Sequence, residues 1–215
     1  MKKILIAVPK GRILEELNPL FKKIGIIPEA EFFNESSRKL VFATNHNAIE
    51  MVKVRSFDVA TFVKFGAADI GICGLDVLKE FPSLEILPIL DLKIGQCRLS
   101  IAAKKSTEIL DFSKISHIRV ATKYTTIASN YFSSLGLQAE TIKLNGSIEI
   151  APQLNLCDFI LDLVSSGKTL IENEMVELKK VIDVSSYLIV NRTSFKTINQ
   201  EINQLIELFD KALKI

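Results

Sequence analysis

Short apolar runs alternate with helically spaced apolar residues along almost the whole chain, and this alternation narrows the fold more than any other feature. Residues 4–8, ILIAV, have the length and content of a buried strand. Leu14, Leu17, Phe21 and Ile24 then recur at helical spacing, with Gly25 placed to close the helix. Pro19 either kinks this helix or marks its start near Asn18. Strand-like runs return at residues 39–43, 50–54, 69–73 and 85–90. Asp58 and Asp76 are placed to cap the helices between them, and Gly66 to stop the first. From Cys97 the rhythm restarts, with strands expected at 98–103, 118–122, 141–144, 159–164, 176–184 and 187–190. Between them, Thr125 or Thr126 is expected to cap a helix carrying Ile127, Tyr131 and Leu135 and closed by Gly136. Ile198, Ile202, Leu205, Ile206, Phe209 and Leu213 form a final stripe, with Thr197 and Gln200 read as a capping box. The pattern predicts an α/β protein with mostly parallel sheets flanked by helices. It predicts two lobes, residues 1–93 plus 187–215 and residues 94–186, with a crossover near 91–96. Two lobes make a cleft, where small ligands bind preferentially.

Composition narrows the function. Of 215 residues, 48% are hydrophobic and 24% charged, which fits an ordinary globular protein. A net charge of +2 gives no basic excess for a nucleic-acid backbone, yet a small anion needs only a few well-placed cations. Cys73, Cys97 and Cys157 form no C-x-x-C pair, and each is expected to be a buried, inert thiol. The basic pair Lys2–Lys3 precedes an apolar run that Pro9–Lys10–Gly11–Arg12 breaks too soon for a signal peptide. No run approaches a membrane span, so a cytoplasmic location is expected.

Three stretches suit anions. The segment DLVSSGKTL, residues 162–170, ends like a phosphate-binding P-loop, but Asp162 stands where that motif needs its first glycine. What remains is an apolar run followed by hydroxyls at Ser165, Ser166 and Thr169, with Gly167 and Lys168 between them and a helix expected near Thr169. Such a turn fits a phosphate cradle and fits a plain helix cap. Asp162 tips the balance, since a carboxylate ending an apolar run needs partners such as sugar hydroxyls. A second junction, Asn145–Gly146–Ser147–Ile148–Glu149, places Ser147 to cap a short helix and Glu149 in its first turn. The third is Pro9–Lys10–Gly11–Arg12, two cations before a helix N-terminus, where cations are unfavourable by roughly 0.3–1 kcal/mol unless an anion intervenes. Arg38 raises the same choice between anion contact and a solvated surface cation. His46 and His117 lie in no recognisable site, and no H-E-x-x-H, G-x-S-x-G or G-x-G-x-x-G occurs. Phosphate cradles and arginines without a strong base suit a displacement helped mainly by electrostatics.

Six segments, IAVPKGRILEE, FGAADIGICGLDVL, IGQCRL, RVATKY, KLNGSIEIAP and DLVSSGKTL, occur in that order. Together they resemble the catalytic subunit of the ATP phosphoribosyltransferase family, over residues 6 to about 192. The resemblance implies a two-lobed fold like a type II periplasmic binding protein. It also implies a reaction joining N1 of ATP to C1 of 5-phosphoribosyl 1-pyrophosphate, releasing pyrophosphate, with substrate-bound Mg2+. By matching motifs, Glu149, Asp162, Ser165, Ser166, Gly167, Lys168 and Thr169 would bind phosphoribosyl pyrophosphate. Lys10, Gly11, Gly71, Cys73 and Gly74 would face ATP or pyrophosphate, and Arg12 and Arg38 would be catalytic. Asn155, Cys157, Thr125 and Tyr187 depart from the usual residues, which are a glycine, a small residue, a proline and an arginine. A chain ending just after residues 198–213 resembles the family's short form. That form implies a homodimer or larger assembly with a regulatory subunit similar to histidyl-tRNA synthetase.

Overall fold

The structure, a computed structural model, describes residues 3–34, 36–107 and 117–214. Met1 and Lys2, part of the N-terminal stretch read above, lie outside the described residues. In chain order the elements are β1 (Ile4–Pro9), α1 (Arg12–Lys23), a 3-10 turn (Ala30–Phe33), β2 (Val41–Ala43), β3 (Ile49–Val54) and α2 (Ser56–Lys64). Next come β4 (Ile70–Gly74), α3 (Leu75–Glu80), β5 (Ile86–Asp91), β6 (Cys97–Lys104), β7 (His117–Thr122) and α4 (Thr125–Ser134). Then follow β8 (Gln138–Lys143), α5 (Ile150–Gln153), β9 (Phe159–Val164), α6 (Lys168–Glu172) and β10 (Met175–Val184). The chain closes with β11 (Ser186–Asn191), α7 (Arg192–Thr197) and α8 (Asn199–Leu213).

These elements form two compact units, Met1–Gly95 with Ser185–Ile215, and Gln96–Val184. The first holds a six-stranded sheet in the order β2-β3-β1-β4-β11-β5. Helices α1 and α8 cover one face, where Leu17, Phe21, Ile202 and Phe209 are buried against Ile6 and Ile70. The Phe21 and Phe209 rings meet edge to face at 6.3 Å. On the other face Val59 and Val63 of α2 pack with Ile189 and Cys73. Each such aliphatic or aromatic side chain contributes roughly 1.5–3 kcal/mol by leaving water. The second unit holds a five-stranded sheet in the order β10-β6-β9-β7-β8.

Each sheet is mixed rather than mostly parallel. Pairings β1/β3, β1/β4, β7/β8 and β7/β9 are parallel, while β2/β3, β4/β11, β5/β11, β6/β9 and β6/β10 are antiparallel. The reason lies in the path of the chain: β11, returning from the second unit, inserts antiparallel between β4 and β5, which the α3 crossover leaves parallel to each other.

The helix starts differ from those expected. Asp58 and Asp76 lie inside the first turns of α2 and α3, where a negative charge still suits the helix dipole, while Arg55 and Gly74 occupy the cap positions. Tyr124 rather than a threonine caps α4. Thr125 takes the first helical position, the place where proline is also favoured, which accounts for that departure. Thr197 ends the separate helix α7 and donates its hydroxyl to the Thr193 carbonyl at 3.0 Å, so it forms no capping box with Gln200. Helix α1 runs unbroken through Pro19. Gly25, Gly66 and Gly136 adopt positive φ and close α1, α2 and α4 as expected.

Candidate active site

In the second unit β9 delivers the chain to the segment 165–169. Its buried Ile160, Leu161 and Val164 anchor the strand, and Gly167 then turns in the left-handed region at φ 78° before α6. Ser165, Ser166, Lys168 and Thr169 are exposed on this turn. The Lys168 N–H approaches the Ser166 hydroxyl at 3.4 Å. Asp162, half-buried, lies opposite Ser100 of β6 and accepts the Leu163 N–H at 2.8 Å. A cation stands behind the turn. Arg98 of β6 donates to Glu177 of β10 through Nε at 2.6 Å and Nη2 at 2.5 Å, and through Nη1 to the Ser165 carbonyl at 3.2 Å. The Ser100 hydroxyl completes the pair, donating to Glu177 at 2.8 Å. The guanidinium holds the Glu177 carboxyl below its ordinary range against an opposing desolvation.

Glu149 is half-buried and takes the cap position of α5. Ser147 does not cap this helix. Its backbone is left-handed at φ 50°, and its carbonyl, not its hydroxyl, receives the Ile150 N–H at 3.4 Å. Asn155, in place of a glycine, also has a left-handed φ of 56°, a conformation that asparagine tolerates better than most residues. Its side chain accepts the Lys104 ammonium at 3.0 Å.

In the first unit the β1-to-α1 junction forms the second candidate region. Gly11 has φ 86° and supplies no side-chain cap, so the first turn of α1 keeps N–H groups free for another acceptor. A cavity of about 430 Å³ opens there, lined by Lys10, Gly11, Glu15, Asn18, Ser37 and Lys53 among others. Arg12 is exposed beside it, 3.6 Å from Glu16, and Arg38 is exposed next to Ser37; neither lines the cavity. Lys10 and Arg38 have no side-chain hydrogen-bond or ion-pair partner among the described residues.

Lys53 was not anticipated. Although only 6% exposed, its ammonium donates to the Phe32 carbonyl at 2.7 Å and the Asn34 carbonyl at 3.3 Å. It also lies over the Phe32 and Phe42 rings, 5.6 and 5.3 Å from their centres. It thereby ties the segment leading to Ser37 and Arg38 to β3. A lysine inside the apolar MVKV run was the only sequence signal. Arg98 was likewise passed over, though its segment IGQCRL stood out.

Three residues of β4 expected to face ATP or pyrophosphate are tightly packed. Gly71 is buried, and a Cβ there would fall 2.7 Å from Val63 and 2.8 Å from Val59, so its smallness serves the seating of α2. Cys73 is 1% exposed within the same cluster, and burial pushes its thiol far up. At Gly74 a Cβ would lie 2.1 Å from the Asp76 carboxylate. Cys157 is buried with a raised thiol pKa from desolvation, whereas Cys97 is only half-buried. His46 and His117 are both exposed on the surface.

The model of the family described as HisG, ATP phosphoribosyltransferase, matches residues 55–211. The ATP phosphoribosyltransferase of Sphingopyxis alaskensis is 50% identical over 210 residues, covering 98% of this chain and 94% of the relative. That of Neisseria gonorrhoeae is 42% identical over 215 residues, covering 98% and 95%. Among solved structures, an ATP phosphoribosyl transferase (HisG:HisZ) complex from Thermotoga maritima superposes with a TM-score of 0.83 at 29% identity, covering 98% of both chains. The periplasmic aliphatic sulphonate binding protein SsuA of Escherichia coli shares the fold alone, with a TM-score of 0.61 at 14% identity, covering 99% of this chain and 73% of that one. The fold is thus shared with periplasmic binding proteins, while sequence identity reaching half of all positions ties the chain to enzymes: the chain belongs to the ATP phosphoribosyltransferase family.

Proposed function

We propose a division of labour for the reaction of this family, in which N1 of ATP displaces pyrophosphate from C1 of 5-phosphoribosyl 1-pyrophosphate, the first step of histidine biosynthesis. The observation that carries the proposal is the turn at 165–169. An apolar strand ends there in exposed hydroxyls and Lys168 around a left-handed glycine. This turn holds the 5-phosphate, and Asp162 and Glu149 hold ribose hydroxyls. In the first unit, Lys10, Gly11 and the free N–H groups of α1 take ATP or pyrophosphate phosphates. Arg12 and Arg38 neutralise the leaving group.

The adenine N1 carries a lone pair and needs no base to attack. As the C1–O bond stretches, positive charge gathers on the sugar and negative charge on pyrophosphate, so preorganised cations assist the step directly. Magnesium would arrive on the substrate. Such an ion is carried mainly by phosphate oxygens and water. A non-catalytic anion-binding role is the less favoured reading, because the relatives are named as enzymes. The HisG:HisZ complex supports a hetero-oligomer containing a histidyl-tRNA synthetase-like subunit. No helix among the described residues is long and apolar enough to cross a membrane, and a cytoplasmic location is part of this proposal. The test is pyrophosphate release with ATP, phosphoribosyl pyrophosphate and magnesium, alone and with the partner subunit. Release that depends on both substrates is expected; none under either condition would overturn it.

A further inference from the structure

We propose that Arg98 is a positioning residue that fixes which way the Ser165–Ser166 peptide faces, and so presents the Ser166 N–H to the substrate phosphate. This inference rests on the assignment of the 165–169 turn to phosphoribosyl pyrophosphate. Two donors of Arg98 are committed to Glu177, at 2.6 and 2.5 Å, which locks the plane of the guanidinium. Glu177 is itself steadied by Ser100 at 2.8 Å. The remaining contact, Nη1 to the Ser165 carbonyl at 3.2 Å, therefore comes from a braced group rather than a wandering one. No cis peptide is present among the described residues, and across a trans peptide the C=O and the following N–H point in opposite directions. With the Ser165 oxygen turned toward Arg98, the Ser166 N–H is turned away from it. Were this peptide to flip, it would offer a carbonyl oxygen where a donor had been, and a phosphate would be repelled. Sheet register sustains the brace, because Arg98 lies opposite Val164 on β9 and Asp183 on β10, with the turn one residue beyond Val164.

The experiment is titration calorimetry of the full chain with magnesium phosphoribosyl pyrophosphate and, separately, with ATP. Arg98→Met should raise the Kd for phosphoribosyl pyrophosphate by about tenfold or more, as expected for losing an oriented donor to a charged group, and leave that for ATP within about twofold. Glu177→Gln should move in the same direction by less. Arg98→Lys, a second variant if the methionine form fails to fold, should bind phosphoribosyl pyrophosphate about threefold more weakly, since one ammonium cannot replace the fork. In the wild type, inorganic phosphate should shift the Ser166 amide resonance, a response lost in the Arg98 variants. A purely structural role would weaken both substrates together, and that result overturns the inference. Thr169→Ala, run in parallel, separates the two claims. If it weakens phosphoribosyl pyrophosphate while the Arg98 variants do not, the inference alone fails. If Thr169→Ala has no effect, the assignment of the turn fails and this inference with it.

Discussion

Thr169 and Gly167 sit two residues apart on the same turn, yet substitutions there are expected to fail for different reasons. Thr169 is exposed, so Thr169→Ala should cost little stability while removing a hydroxyl from a charged phosphate, worth roughly 1.5–3 kcal/mol of binding. Calorimetry should show that loss for phosphoribosyl pyrophosphate and not for ATP. At Gly167 a Cβ would touch only Val164 at 3.9 Å, but the backbone φ of 78° would cost a substituted residue roughly 1–2 kcal/mol. Gly167→Val should therefore lower stability as well as phosphoribosyl pyrophosphate binding, and chemical denaturation separates the two effects. Arg12 and Arg38 are exposed, and among the described residues only Arg12 has an acidic neighbour in reach, Glu16. If they steady the leaving pyrophosphate, each alanine variant should slow the chemical step by about a hundredfold or more, with smaller changes in substrate binding. Arg12→Lys should not fully restore it. Quenched-flow measurement of a single turnover decides the matter, and an unchanged chemical step would make both ordinary surface cations.

Strands and helices carry two further expectations. Gly71→Ala would press a methyl into Val59 and Val63 of α2, so it should destabilise the fold by roughly 1–3 kcal/mol. If its role is packing, ATP binding by the folded fraction should be unchanged, whereas a selective loss of ATP binding without loss of stability would place Gly71 at the site. Between β6 and β10, Glu177 has a folded pKa held below its ordinary 4.5, by the Arg98 guanidinium first and against desolvation. A depressed carboxyl stabilises the fold fully above its unfolded value, and that contribution is lost as pH falls through the folded one. Glu177→Gln should accordingly flatten the decline of the melting temperature below about pH 4.5, measured by thermal scans at stepped pH. At this scale strands 4–8 and 159–164 were legible in the sequence because continuous apolar runs of that length have few alternatives. Caps were less legible: Asp58 and Asp76 suit a cap and a first turn alike, and only backbone geometry separates these places. Mixed pairing escaped notice because strand direction depends on where the chain returns, which side-chain type does not encode. The 165–169 turn was legible from its hydroxyls and glycine. Lys53 and Arg98 were not, because their importance comes from the Phe32 and Ser165 carbonyls, groups present at every residue and silent in a sequence.

For the whole molecule, the proposed hetero-oligomer carries an expectation about regulation. If the chain works with a second subunit as proposed above, histidine control is expected to act through that subunit. Histidine should not inhibit the purified chain at micromolar levels, and should inhibit once a histidyl-tRNA synthetase-like partner is added. Such coupling requires unequal histidine affinity for two states of the complex. Inhibition of the isolated chain, or a partner that never changes the rate, would refute this. The strand order of the first sheet also has a consequence for biosynthesis. β11 lies between β4 and β5, and among the described residues β5 pairs with β11 alone. Residues 186–191 are made only after Gln96–Val184 has been translated. On a ribosome the first unit therefore waits with β5 unpaired while the second, continuous in the chain, is completed. The part of the protein that begins first is the part that finishes folding last.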